Sequence, residues 1–276
     1  MEQAVAGFAA GTISTLIMHP LDLAKTQLQV TRVYQHTGLR NVVNANVNRQ
    51  HFFRSLYRGL TVNLIGSTAS WGSYFFIYEK CKNAVASYSN IPVRELSSFQ
   101  ILGCSYASGL AVAALTNPIW VVKSRILSRS VPYTSFLTGI RELLRNQGIK
   151  GCYVGIVPSF VGVCQGSLQF MAYERLKKHY NEPMSSLQYL SVSALSKVFS
   201  SLLMYPVMVF RTRLQVRDTL RITDSKSLMS LRLPQIIADL YKGYSFHLLR
   251  VVPQTCITLL VYEQTYHFLK KDTKNK

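Results

Sequence analysis

Pro20-Leu-Asp-Leu-Ala-Lys-Thr-Gln27, Pro118-Ile-Trp-Val-Val-Lys-Ser-Arg125 and Pro206-Val-Met-Val-Phe-Arg-Thr-Arg213 are three versions of one eight-residue phrase. Each opens on a proline and carries a cation five residues later, at Lys25, Lys123 and Arg211. An aromatic-x-Gly triplet trails each phrase: Tyr57-Arg-Gly59, Tyr153-Val-Gly155 and Tyr241-Lys-Gly243, with proline-to-glycine gaps of 39, 37 and 37 residues. A Tyr-Glu pair closes each unit at Tyr78-Glu79, Tyr173-Glu174 and Tyr262-Glu263, 20, 19 and 20 residues beyond the glycine. Self-similarity at fixed spacing dictates architecture before any local feature does. The chain is three homologous units, with boundaries expected at 1–88, 94–182 and 185–272.

Charge is distributed as in a membrane protein. Residues 96–122 are uncharged, as are Gly59–Tyr78, Gly151–Tyr173 and Gln3–Met18. A bilayer core needs about 20 largely apolar residues per helix, so these four runs predict spans. Two more, near 187–213 and 244–268, carry Lys197 and Arg250 as the only charges short of their far ends, where Arg211, Arg213 and Glu263 stand. The expected fold class is therefore an all-α membrane protein with six transmembrane helices, two per repeat, related by a pseudo-threefold axis. Many runs also carry Ser, Thr, Asn, Gln and Gly, and polar groups in hydrocarbon must face one another or a wet cavity. Both interhelical hydrogen bonding and a central aqueous cavity satisfy that rule; six such helices favour the cavity.

The net charge of +19 has its cations at helix ends and in the loops 31–58, 123–150 and 211–232. That suits anionic headgroups and an anionic solute. No basic stripe interleaved with aromatics is present, so nucleic acid is not an expected partner. The five cysteines have no paired spacing and the six histidines do not cluster, so no metal site is expected. Nothing assembles a nucleophile, base or cofactor loop, which argues against an enzyme.

Within each repeat, small residues thirteen and nine positions before the proline (Gly7 and Gly11, Ser105 and Gly109) predict close helix packing. The third repeat has Ser193 and Lys197 there, and no packing rule explains the lysine. The prolines predict kinks, below which three helices converge and close one end of the cavity. Each second helix starts at the triplet glycine, Gly59, Gly155 or Gly243. Free N–H groups there offer an anion site, and a lipid phosphate is the expected occupant.

Together these motifs resemble those of the mitochondrial carrier family, over essentially the whole chain. The resemblance implies a short matrix helix within each repeat, termini on the intermembrane side, and alternating access through one central site. It also implies a monomer in the mitochondrial inner membrane, bound cardiolipin and no cleavable presequence. Trp120 and Met208 stand where the family pattern has an acid, and only Asp22 retains it. Pro118-Ile-Trp-Val-Val-Lys-Ser-Arg125 resembles the branch that carries folate, FAD, NAD and pyrimidine nucleotides. Ala69-Ser-Trp-Gly-Ser-Tyr-Phe75, Gln169-Phe-Met-Ala-Tyr-Glu174, Lys197 and Pro253-Gln-Thr-Cys-Ile-Thr258 are similar to the FAD and folate carriers, most of all the fungal FAD carriers. FAD is thus the expected solute, transported and not held as a cofactor; folate, NAD and pyrimidine nucleotides are the alternatives.

By the same resemblance, Asp22, Lys25, Gln27, Trp120, Lys123, Met208 and Arg211 form the matrix gate, with a single ion pair between Asp22 and Lys123. Tyr78, Glu79, Lys82, Tyr173, Glu174, Lys177, Tyr262 and Glu263 form the intermembrane-side gate. There Glu79 is expected to pair with Lys177 and Glu263 with Lys82, while Glu174 meets Tyr266. The substrate positions are Gly66 and Ser67, Gly162 and Val163, and Arg250, with Lys197 and Trp71 nearby. Gly66, Gly162 and Val163 offer a slot for a ring system, and Arg250 a fork for phosphate or carboxylate. Trp71 either stacks on that ring or packs between helices. Lys197 either binds the anion or wets the cavity.

Overall fold

The computed structural model describes residues 2–30, 57–128, 135–178, 186–217 and 233–251, together with 253, 254 and 257. All regular structure among the described residues is helical: α1 Glu2–Val30, α2 Leu60–Ser89, α3 Ser98–Leu127, α4 Phe136–Cys152, α5 Ile156–Lys177, α6 Ser186–Arg217 and α7 Leu233–Leu240. A 3-10 turn at Val93–Glu95 links the first two repeats, and a further helical run begins at 244. The second repeat shows the complete plan of a long proline-bearing helix (α3), a short helix (α4) and a returning helix (α5). The third repeats it with α6, α7 and the run from 244. α1 packs on α2 and α6, α2 on α3, α3 on α5, and α5 on α6.

Outside and inside are inverted relative to a water-soluble bundle. Phe76, Phe99, Leu115, Val157 and Met171 are all more than three-fifths exposed, while Ser14, Ser108, Asn117, Ser196, Ser200 and Ser201 are buried. Lipid accepts an apolar surface that water penalises, and small polar residues let helices approach and hydrogen-bond. Phe99–Leu127 and Gln188–Val216 are long and apolar enough to cross a bilayer, and α4 with α5 also qualifies as one pair bent by 64°. α2 has 30 residues, about 45 Å at 1.5 Å per residue and ample for a ~30 Å hydrocarbon core. Its apolarity is diluted by Asn63, Ser67, Thr68 and Ser70.

Helix boundaries follow local chemistry. α3 opens with a capping box, in which Ser97 Oγ accepts from Gln100 N and Gln100 Oε1 accepts from Ser97 N. Pro20, Pro118 and Pro206 lie inside unbroken helices. Proline leaves the carbonyl four residues earlier without its helical donor. In the third repeat the Tyr241 hydroxyl fills that place, donating to Leu202 O at 3.1 Å.

The small-residue pairs behave unequally. A Cβ on Gly109 would sit 2.6 Å from Val163 Cγ1, so α3 and α5 do pack through glycine. Gly11 has nothing within 4 Å and is exposed, contrary to the close packing its spacing predicts.

The triplet glycines are the hinges between short and returning segments. Gly59, Gly155 and Gly243 adopt φ of 79°, 77° and 85°, a region that costs other residues roughly 1–2 kcal/mol. Each also presses on the proline-bearing helix of the following repeat: Gly59 on Leu127, Gly155 on Gln215, Gly243 on Leu28. A Cβ at Gly59 would lie 2.7 Å from the fully buried Leu127. Gly59→Ala should therefore lower the melting temperature of the detergent-solubilised protein, whereas Gly72→Ala, with nothing within 4 Å, should leave it unchanged or slightly higher. Equal melting of the two variants would mean that the contact is slack.

Candidate functional site

Just beyond its proline α1 presents the buried carboxylate of Asp22, which joins the proline-bearing helix of the second repeat and the returning helix of the third. Lys123 Nζ lies 2.9 Å from Asp22 Oδ2 and Arg250 Nη1 lies 2.9 Å from Oδ1. Asn63 Nδ2 makes a longer contact of 3.5 Å with Oδ2. One carboxylate of the first repeat thus binds cations of the second and third. Trp120, at an acidic position of the family pattern, sets its ring 4.9 Å beneath Lys123 Nζ and donates from Nε1 to Thr116 Oγ1. A cation over an indole face is attracted by the ring quadrupole, so Lys123 is held from two sides. Lys25 and Arg211 make no ion pair among the described residues, and the Nε atoms of Arg211 and Arg250 are buried without a partner.

Two threefold sets surround this point, and of their residues only Gln27 is expected from the sequence. Seven residues beyond each proline, Gln27 Nε2 donates to Leu127 O at 3.1 Å, Arg125 Nε to Gln215 O at 3.0 Å, and Arg213 Nε to Gln29 O at 2.8 Å. Each donor reaches the next proline-bearing helix, and the third returns to the first, so the links form a closed ring. Arg125 also binds Gln147 of α4, and Arg213 pairs with Asp239 of α7, which fastens the short helices to the ring. The residues just before each proline form the other set. His19 contacts Arg58 O, Asn117 donates to Val154 O, and Tyr205 donates to Lys242 O. Each acceptor immediately precedes a triplet glycine, so the polar residue fixes the turn. The signal was in the sequence: a polar side chain before every proline and a donor seven after it.

Two chambers lie against this network. One, of about 240 Å³, is lined by Asp22, Lys25, Lys123, Arg211 and Arg250, with Ser67 on its wall. The other, of about 250 Å³, is largely apolar, with Gly109, Val112, Gly162 and Val163 on its wall. Trp120, Met208 and Arg211 border both, so the two chambers are adjacent. Ser70 contributes to the apolar chamber a hydroxyl that is buried without a partner.

The substrate positions expected from sequence are thus divided. Ser67 and Arg250 lie on the charged chamber, Gly162 and Val163 on the apolar one. Gly66 lines neither: a Cβ there would meet Ile119 at 3.2 Å and Trp120 at 3.5 Å, so its open face is filled by α3 and no ring slot remains. Trp71 also lines neither, being 63 % exposed and stacked on Phe75 at 5.8 Å. Lys197 donates to Gln169 Oε1 at 3.0 Å, bridging α6 to α5. Arg250, read from sequence as a free fork, is engaged with Asp22, because α1 brings that carboxylate across the gap between repeats. Gln27, expected beside the ion pair, instead joins the backbone ring.

At the opposite end Glu79 and Glu174 make no ion pair among the described residues, and Lys82 Nζ sits over the Tyr78 ring at 4.6 Å. Tyr262, Glu263 and Tyr266 lie outside the described residues. The proline end is joined across all three repeats, whereas at the tyrosine-glutamate end the described carboxylates Glu79 and Glu174 make no ion pair with a described residue.

The sequence pattern described as "Mitochondrial carrier protein" matches residues 1–89, 94–184 and 182–273. The chain is a member of the mitochondrial carrier family. Members of this family are transporters with small-molecule substrates, and its mitochondrial members are membrane proteins of that organelle. The carrier is 51% identical to an uncharacterized mitochondrial carrier of Schizosaccharomyces pombe, over the whole of both chains. It is 34% identical to the mitochondrial FAD carrier protein of Saccharomyces cerevisiae, covering 97% of each. It is 33% identical to the chloroplastic folate transporter 1 of Arabidopsis thaliana, covering 100% of this chain and 97% of that one.

Removing one partner of a buried ion pair costs about 3–5 kcal/mol because the other charge is stranded. Asp22→Asn strands two, so the carrier should lose more melting temperature from it than from Lys123→Gln. Combining the two should cost less than their sum, since Lys123 has then no charge to strand. Additive losses in thermal unfolding would dissolve the coupling.

Proposed function

We propose that this carrier moves FAD across the mitochondrial inner membrane by alternating access through one central site, handling FAD as cargo and not as a prosthetic group. The observation that carries this reading is the adjacency of the two chambers. A flavin nucleotide joins an apolar ring system to a diphosphate, and here an apolar chamber lies beside a cationic one. Folate also carries anionic groups, but its glutamate spreads the carboxylates along a flexible tail. A diphosphate concentrates its charge in adjacent groups, which suits cations gathered around one point. The similarity to FAD and folate carriers supports the branch, and the compactness of the cation cluster favours the diphosphate.

In this reading Arg250 binds the anionic part of the solute, with Lys197 set nearby, and Gly162 and Val163 face the ring. Asp22, Lys123 and Trp120 hold the matrix side shut. Solute entering from the tyrosine-glutamate end competes with Asp22 for Arg250, which loosens the proline end. As the opposite end closes, Glu79 meets Lys177 and Glu263 meets Lys82, wet pairs worth about 1 kcal/mol or less each. The N–H groups beyond Gly59, Gly155 and Gly243 face lipid phosphate, for which cardiolipin is the proposed source, and the unit of transport is the monomer.

Proteoliposomes loaded and assayed with labelled FAD, folate, NAD and UTP test the assignment. FAD uptake should exceed the others, and uptake of folate with none of FAD would overturn it. Arg250→Ala should reduce FAD uptake to background in protein that still inserts. Arg250→Lys should restore little, because an ammonium lacks the planar fork of a guanidinium; uptake near wild type in Arg250→Ala would remove the anchor.

A further inference from the structure

Four cations, Lys25, Lys123, Arg211 and Arg250, border the charged chamber, and Asp22 is the one carboxylate among its described lining residues. Three positive charges are therefore in excess at membrane depth, where an uncompensated charge is costly unless it has water or a partner. Asp22 is saturated by Lys123, Arg250 and Asn63. Lys25 and Arg211 receive nothing from it by hydrogen bond, and Trp120 and Met208 occupy the places from which a carboxylate would reach them. The buried Nε of Arg211 and of Arg250 remain without an acceptor. A volume of about 240 Å³ falls below the ~300–1,000 Å³ of sites that enclose a whole ligand. It suits one charged group of a larger molecule, or a small anion.

We infer that Lys25 and Arg211 form, with Arg250, an anion site for a diphosphate group, so that the solute supplies at the closed end the negative charge that side chains supply only at Asp22. The site deepens the transport reading given above and rests on it for the identity of the cargo. The closed end is then incomplete without anion. Trp120 and Met208 serve specificity: each removes a carboxylate that would have neutralised a cation and repelled the cargo. Their shared position between the chambers places the diphosphate directly beside the apolar compartment.

The test uses the full-length carrier purified in a detergent free of anionic lipid, with inorganic pyrophosphate as probe and chloride of equal ionic strength as control. Pyrophosphate should raise the melting temperature of the wild type by several degrees, and chloride should not. Lys25→Gln and Arg211→Gln should each lose most of that rise. Met208→Asp keeps both cations yet should also lose it, because the new carboxylate takes the anion's place; Trp120→Asp should act in the same way on Arg211. Variants that melt below the wild type without ligand remain informative, since the readout is the shift on adding pyrophosphate. Absence of a shift in the wild type would overturn the site. So would a full shift in Lys25→Gln, Arg211→Gln and Met208→Asp, because pyrophosphate would then be binding elsewhere. A short-chain anionic phospholipid should act alike on wild type and variants; a lipid effect that vanished with Lys25 and Arg211 would reassign the site to a headgroup and overturn the cargo role. Failure of FAD uptake alongside an intact pyrophosphate shift would refute the cargo and keep the site.

Discussion

The carboxylate of Asp22 is buried, contributed by the first repeat, and shared between Lys123 of the second and Arg250 of the third. Whatever moves these repeats apart must first divide that carboxylate from one of its cations. Stripping water from such groups costs several kcal/mol per ion, and only close geometry recovers it. The closure is therefore conditional: strong while all three parties are in place, and costly once one is withdrawn. A conventional carrier pattern would distribute this duty over three separate pairs. Here it is concentrated at one atom group, and the rest of the closed end is arranged around it.

Around that point the fold uses neutral and half-neutral links. The ring from Gln27, Arg125 and Arg213 to the carbonyls of Leu127, Gln215 and Gln29 holds the ends of the proline-bearing helices in a fixed cyclic order. His19, Asn117 and Tyr205 hold the turns. Such bonds contribute about 1 kcal/mol each net. They set where the helices meet, while the charged centre decides whether they stay together. Structural frame and switch thus occupy adjacent turns of the same helices.

The repeat plan, the all-helical class and the segments that cross the bilayer were legible in the sequence because spacing and uncharged runs are one-dimensional signals. The pairing of Asp22 with Lys123 was implied by the resemblance to the carrier family. Its sharing with Arg250 could not, because it depends on how far a long side chain of a returning helix descends toward the proline end. Gly66 looked like an open slot since a missing Cβ leaves room, and sequence gives no hint that Ile119 and Trp120 fill it. Gly162, of the same type at the matching place, does stay open. Gly11 and Gly109 differ for the same reason: smallness permits approach, but only the neighbouring helix decides whether approach occurs.

The donor ring also has a consequence for how this sequence can drift. Its acceptors are main-chain carbonyls, which every amino acid supplies, so the ring itself asks nothing of the side chains at 29, 127 and 215 and constrains only the donors at 27, 125 and 213; what the acceptor positions must satisfy is their own packing. The chain already displays that freedom, with Gln29 and Gln215 beside Leu127. Where the glutamines stand, Thr212 and Ser124 donate to their amide oxygens. Where the leucine stands, Thr26 turns back to Asp22 O in its own helix. Hydrogen bonding thus filters substitution on one side of each joint and packing alone filters it on the other, which lets side chains near the closure change in chemistry without dismantling it.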